Sequence, residues 1–377
     1  MKISVIICEF NPFHYGHGYL LSRAKELGDA VVCVMSGSFT QRGEICRTDK
    51  FLRAKHAVLC GADAVVELPA PFAVAPAEIF ARGAVKIAGA IGGDVTLVFG
   101  SESGERSAFS RAAEILTGES EAFKRELTER LDGGESYVRS YSAAFESCGG
   151  ERDLLLTPNN ILGVEYVKAI MRAGSAIDFA PVKRQGSGYN DSALAGKFSS
   201  AGAIRKNAGA PAVREALPEC SYRDFVASAD NSSRFEGFAA DRLFTCDKRD
   251  LRRVYGCTEG LENRLKSLAF GRSFGEICDT ACTKRYSKAR VRRILTANAL
   301  GLYADDTEKF SACAPPVKIL AVKKERADEI LPLLSARAAP DGETERCLEI
   351  TSGTYALWRY LSAPLIYENE REKMILV

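Results

Sequence analysis

The chain has 377 residues, 46% of them hydrophobic and 27% charged, with a formal net charge of only +2. That length accommodates two domains and a sizeable core, while the near-neutral balance excludes attraction to a polyanion by the surface as a whole. No stretch approaches the roughly 20 apolar residues of a membrane span, and "MKISVIICEF" is too short in its apolar part for a secretory signal, so a cytoplasmic protein without a membrane partner is expected.

The run "ISVIIC" (3–8) predicts a buried first strand. Gly16 precedes a helix that sets Leu20, Leu21, Ala24 and Leu27 on one face. "AVVCVM" (30–35) is a second strand, followed by a helix capped by Thr48 with Phe51, Leu52, Val58 and Leu59 turned inward. "DAVVEL" (63–68) and "DVTLVF" (94–99) are further strands, and the helix between them buries Ile79, Gly83, Ile87 and Ala90. Pro158 begins another amphipathic helix through "NNILGVEYVKAIM", and "IDFAPV" (177–182) is a fifth strand. Continuous apolar strands alternating with helices are the pattern of a parallel sheet covered on both faces. An α/β, doubly wound, Rossmann-like domain is therefore expected over 1–205.

Beyond that point alternation stops and charge density rises. "GLENRLKSLAF" and "SKARVRRILTANALGLY" carry helical period, and "VKILAV" (317–322) with "ERADEILPLL" makes one late strand–helix pair. A mainly helical, basic C-terminal domain is expected over 206–377. The twelve cysteines are scattered, Cys8, Cys33, Cys60, Cys148 and Cys220 singly through apolar runs. In a reducing compartment they read as small buried hydrophobes. Cys278 and Cys282 stand i,i+4 with no second pair and no nearby histidine, so no metal centre is expected.

In a doubly wound sheet, ligands bind where loops leave the carboxyl ends of the strands. Residues 9–16 form that loop after the first strand, and His14 and His17 are two of only three histidines in the chain. The following helix offers free N–H groups and a positive dipole end, which together suit an anion. Gly16 lets the backbone approach closely and Pro12 stiffens the turn, so both imidazoles can point at a group over the helix start. A histidine donates to oxygens gaining charge at phosphorus without lysine's permanent charge. Plain helix capping is the alternative use of the two rings.

Pro12, His14, Gly16 and His17 resemble the P-x-H-x-G-H loop of the HIGH-type nucleotidyltransferases, which attack the α-phosphate of a nucleoside triphosphate and expel pyrophosphate. "SSAGAIRK" (199–206) resembles that superfamily's S-S/T-x-x-I-R motif with one extra residue before the isoleucine, which implies that Arg205 holds departing phosphates. An ordinary N-cap followed by a surface arginine is the competing account. "MSGSFTQRGE", "GADAVVELP", "FGSES", "TPNNILGVEY", "FSSAGAIRK", "EGLENRLK" and "TKRYSKARVRRIL" together resemble the bacterial tRNA(Met) cytidine acetate ligases through most of the chain.

That resemblance implies an enzyme using ATP, with Mg2+, and acetate to make acetyladenylate. The acetyl group then passes to the exocyclic amine of the wobble cytidine of elongator tRNA(Met), and DNA is no partner. It implies His14 and His17 as catalytic residues. It implies ATP contacts along the strand end and loop, Ile7, Cys8, Glu9, Phe10, Asn11, Pro12, Phe13 and His14, and along the helix start, Tyr15, Gly16, His17, Gly18, Tyr19 and Leu20. Gly100, Asn159 and Arg184 complete the implied nucleotide site. One departure stands out: where the family has Tyr-His-Asp, this chain has Tyr189, Asn190 and Asp191.

Residues 284–293, "KRYSKARVRR", hold Lys284, Arg285, Lys288, Arg290, Arg292 and Arg293 and no acid. Tyr286 is interleaved, where it could stack on a base or sugar. With no acidic i,i+4 partner inside the run, tRNA phosphates are the expected partners, a solvated helix face being the alternative. Two rival functions stay open on these residues. A small-molecule adenylyltransferase would share the first domain but has no use for a basic helical one, and an RNA-binding protein would carry a vestigial nucleotide site.

Overall fold

The computed structural model describes residues 1–185, 193–315, 317–335, 341–362 and 373–377. Its seven-stranded sheet has the order β5-β4-β1-β2-β3-β6-β7. β1 (Lys2–Cys8), β2 (Ala30–Ser36), β3 (Ala64–Leu68), β4 (Asp94–Ser101) and β5 (Asp178–Lys183) run parallel. β2 and β3 are buried at every position, as a sheet covered on both faces requires. Along β1, Ile3 and Val5 enter one core while Ile6 and Cys8 enter the other. Helices Ala77–Ala90 and Pro158–Arg172 cover the first core. α1 (Tyr15–Lys25), α2 (Lys50–Leu59) and much of the later helical region cover the second. From β1 the chain winds outward to β2 and β3, then crosses back to β4 and β5. That reversal opens a crevice over the carboxyl ends of β1 and β4.

Several helix details differ from expectation. α2 is capped by Asp49, whose carboxylate accepts the Phe51 N–H at 2.7 Å, and not by Thr48. Leu59, expected inward, is exposed, while Arg53 and His56 take buried positions on that helix. Leu27 lies past the end of α1 and is exposed, and Ala90 is only partly buried at its helix terminus. Three helices not anticipated from the sequence, Arg106–Thr117, Glu121–Asp132 and Tyr137–Ser147, stand between β4 and Pro158.

The C-terminal part divides. Between 201 and 312 it is helical among the described residues. β6 (Lys318–Val322) then returns to the sheet antiparallel to β3, and β7 (Ile375–Leu376) pairs with β6. The late strand, grouped by sequence with the helical region, thus covers the β3 edge of the parallel strands, which would otherwise expose unpaired backbone. Helix Gly342–Ser362 follows it onto the same body, and its Trp358 indole donates to the Cys46 carbonyl at 2.6 Å.

Candidate active site

β1 ends at Cys8, and the chain turns through Phe10, held at φ +48°, before His14 starts α1 as its N-cap residue. The His14 N–H donates to His17 Nδ1 at 3.3 Å. An accepting Nδ1 on a neutral ring puts the proton on Nε2, where it is free to donate. The two imidazoles stack with centroids 3.6 Å apart, and Phe10 and Phe13 bracket His17 at 4.9 and 5.7 Å. Gly16 is required by this packing, since a Cβ there would lie 2.9 Å from His14 Cε1.

Burial pushes the His14 imidazole down to about 3, with the Arg184 and Arg205 charges adding to the effect. His17 is also held well below its ordinary value, by burial first and then by His14 and Arg184. Both rings are therefore neutral hydrogen-bond donors near neutral pH, and the positive charge comes from arginines. Arg184 leaves β5 across the reversal point, and its main-chain N–H donates to the Ser101 carbonyl at 2.9 Å. A Cβ on Gly100 would meet its Cγ at 3.4 Å. Among the described residues no carboxylate pairs with Arg184. Arg205 reaches the same loop from nearly two hundred residues away, donating to the Asn11 carbonyl at 2.6 Å and to Glu44 at 2.5 Å. It sits on the short helix Ala201–Lys206, capped by Ser200, whose hydroxyl accepts the Ala203 N–H at 3.1 Å.

These groups share one cavity of about 730 Å³. Ile7, Cys8, Glu9, Phe10, Asn11, His14, Gly16, His17, Tyr19 and Leu20 lie on its wall, as do Gly100, Asn159, Arg184 and Arg205. Pro12, Phe13, Tyr15 and Gly18 do not: Phe13 is fully buried, and Lys197 sits over the Tyr15 ring at 5.0 Å. Asn159 donates to Glu102 at 2.7 Å at the start of its helix. His14 Nδ1 and Asn11 Nδ2 are buried with no hydrogen-bond partner among the described residues. Both residues line the cavity, so these are polar atoms left for a ligand. Tyr189, Asn190 and Asp191 lie outside the described residues.

Some of what holds the site went unread in the sequence. Arg53 is fully buried, and its guanidinium donates to the carbonyls of Glu9 (2.5 Å), Thr48 (3.0 Å), Ser36 (3.2 Å) and Gly37. It ties the loops after β1 and β2 to one rigid group. Beneath them Lys50 and Glu67 form an ion pair at 2.7 Å with side chains 0% and 2% exposed. The loop after β2 supplies Gln41, Arg42, Gly43, Glu44, Ile45 and Arg47 to the cavity wall. Burial raises the Glu9 carboxyl above its ordinary range, opposed by the Gln41 N–H that donates to it at 2.6 Å. Lys50, Arg53 and His56, basic residues at helical spacing on one side of α2, were the one available signal.

The basic run is less uniform than its sequence. Tyr286, expected to be open for stacking, is instead buried at 7% exposure, and its hydroxyl donates to the Glu259 carbonyl at 2.7 Å. Packing of the turn before helix Lys288–Leu300 claims the ring. Acids absent from the run arrive from other elements: Asp279 pairs with Lys288, Glu259 with Arg290 at 3.6 Å and Glu236 with Arg292 at 3.4 Å. Arg292 also lines the cavity. Burial, with Arg290 and Arg42 nearby, lowers Arg293 to about 10. Lys284 and Arg285 are exposed and have no carboxylate partner among the described residues.

Among the described residues no cluster of histidine, cysteine or carboxylate side chains could hold a metal ion, and no helix is long and apolar enough to cross a membrane. The HIGH Nucleotidyl Transferase family model matches residues 1–338. A tRNA(Met) cytidine acetate ligase of Acetivibrio thermocellus is 37% identical over 342 residues, covering 84% of this chain and 81% of that protein. One from Listeria monocytogenes is 38% identical over 336 residues, covering 86% and 84%. The crystal structure of apo Thermotoga maritima TmcAL superposes with a TM-score of 0.89 at 29% identity over 100% of both chains. The same protein bound with alpha-thio ATP gives 0.82 at 30% identity over 95% of both.

Proposed function

We propose the reaction below from one premise: the chain belongs to the HIGH nucleotidyl transferases and, within them, to the tRNA(Met) cytidine acetate ligases. The observation that carries the reading is the stacked, neutral pair His14 and His17 at the start of α1, flanked by Arg184 and Arg205 in one cavity. An acetate oxygen attacks the α-phosphorus of ATP, the bond to the bridging oxygen breaks, and pyrophosphate departs. Imidazole N–H groups aimed over a helix N-terminus stabilise the charge that gathers on the α-phosphate oxygens only in the transition state. Arg184 and Arg205 hold the phosphates as fixed forks.

The exocyclic amine of cytidine is delocalised into its ring and does not react with acetate itself. Acetyladenylate is a competent donor: the amine nitrogen attacks the acetyl carbonyl and AMP leaves. The cavity walls must exclude water meanwhile, since a free acyl adenylate hydrolyses. A wobble base in a single-stranded loop can be splayed into such a cavity at small unstacking cost. We assign the helical region, with Lys284 and Arg285 foremost, to the phosphates of elongator tRNA(Met). Mg2+ would come with the triphosphate, held by phosphate oxygens and water, because the described residues gather no carboxylate cluster for it. The cytoplasm supplies all three substrates.

Acetate-dependent exchange of labelled pyrophosphate into ATP tests the first half, and labelled acetate incorporated into tRNA tests the second. Both are expected, with no acetylation from acetyl-coenzyme A without ATP. Exchange that ignores acetate would favour a small-molecule adenylyltransferase, and tRNA binding without exchange would favour a vestigial site.

A further inference from the structure

α2 lies against the helix Glu219–Ala227, and His56 Nε2 meets Asp224 Oδ2 across their interface at 2.6 Å. One helical turn from each of these residues, Cys60 closes α2 and Cys220 opens the partner helix. The steps run in opposite directions along the two helices, so the same register that joins His56 to Asp224 sets Cys60 opposite Cys220. Thr48, just before α2, accepts from Ser228, just past the partner helix, at 3.5 Å, so the two helices run antiparallel and keep this register, and both thiols are partly exposed free cysteines. We propose that Cys60 and Cys220 form a reversible dithiol–disulfide site, with Cys220 as the attacking sulfur and Cys60 as the resolving one.

The chemistry of the two positions differs. Cys220 occupies the second residue of its helix, where the dipole end favours a sulfur anion. The neighbouring Cys60 and the backbone of Ser221 and Cys220 favour its anion and bring the thiol down to about 7, although burial and the Asp224 charge oppose this. Cys60 is raised, first by the neighbouring Cys220 and then by burial. Cys8 and Cys33 provide the control inside the same molecule. They stand on adjacent strands, where Cys8 donates to the Val34 carbonyl at 3.7 Å, but they are buried at 9% and 0% exposure and burial drives the Cys8 thiol far up. Cys33 is closed to any reagent, so the pair cannot complete an exchange. A metal site is a poor alternative, since among the described residues no third ligand closes on the two sulfurs.

In the reaction, the Cys220 thiolate attacks one sulfur of a small disulfide such as oxidised glutathione and expels a first glutathione thiolate. Cys60, after losing its proton, attacks the Cys220 sulfur of the mixed disulfide and expels the second. Two protein thiols are oxidised, one small disulfide is reduced to two thiols, and the two protons finish on those thiols. The bridge would join two helices that both hold the histidine loop. Arg53 on α2 binds the Glu9 carbonyl, and Ser221 beside Cys220 donates to the Phe13 carbonyl at 2.8 Å.

Incubation of the full chain with oxidised glutathione at mildly alkaline pH, followed by non-reducing peptide mapping, tests the assignment. We expect one linked peptide pair joining Cys60 to Cys220, released by dithiothreitol. Cys60→Ser should stop at glutathione attached to Cys220, and Cys220→Ser should yield neither product. No linked pair, a link between other cysteines at equal yield, or glutathione on Cys60 in Cys220→Ser would each overturn the proposal. None of these readouts depends on the nucleotide reaction.

Discussion

The histidine loop and the basic run are both short, motif-like stretches, yet the molecule handles their polar groups in opposite ways. In the loop, burial strips the charge from His14 and His17 and leaves His14 Nδ1 without a partner among the described residues. In the run, Lys288, Arg290 and Arg292 pair with Asp279, Glu259 and Glu236 from other elements. A buried polar atom without a hydrogen-bond partner is kept at a cost, which points to a ligand. A paired surface cation carries no such message. The loop therefore reads as a site from its own geometry, whereas within the run only particular residues are free to serve a partner.

The largest effect expected on this contrast is in the loop. His14→Ala/His17→Ala should lower acetate-dependent pyrophosphate exchange by at least about 10²–10³-fold, the range for removing a single oxyanion donor. Far-ultraviolet circular dichroism should stay near that of the parent. Near-normal exchange in the folded double variant would remove the nucleotide assignment.

Next in size is the support beneath the loop. Arg53→Ala strands carbonyls of Glu9, Ser36, Gly37 and Thr48 in the interior. At roughly 1–3 kcal/mol for each buried group left unpaired, urea unfolding should show a loss of several kcal/mol, with exchange falling as well. Arg53→Lys, with a single ammonium, should recover part of both. A stability equal to the parent would mean that water replaces the guanidinium and that the loops need no clamp.

The neutral histidines also predict a pH dependence. Their folded values lie below the unfolded value of about 6.5, that of His14 at about 3. The unfolded chain thus binds protons that the folded chain refuses, so stability falls as pH drops from about 6.5 toward 3. The slope approaches about 1.4 kcal/mol per pH unit for each histidine. His14→Gln/His17→Gln should flatten that slope in denaturant titrations at stepped pH. An unchanged slope would show that the two rings titrate normally.

The smallest effect separates free from paired cations in the run. Lys284→Glu/Arg285→Glu should spare exchange while weakening tRNA binding, and should lower the magnitude of the salt slope by roughly 0.7–0.9 per lost phosphate contact. Lys288→Ala, which removes a cation already paired with Asp279, should change the slope less. Equal behaviour of the two variants would make the whole run a solvated helix face.

By itself the sequence determined the parallel sheet and where its candidate site residues would gather. Apolar runs such as 3–8 and 30–35 have one stable use in this setting, and a strand followed by Gly16 and a helix puts His14 and His17 over a helix N-terminus through local geometry alone. Tertiary structure decided what long-range contacts control. Arg205 reaches Asn11, the acids of three other elements take up the charge of the basic run, and Tyr286 is consumed by packing. It also carried the late strand back to β3 and set Cys60 opposite Cys220. Periodicity along a chain records which face of an element is buried, but not which distant element buries it, and the charge state of a side chain depends on that second fact.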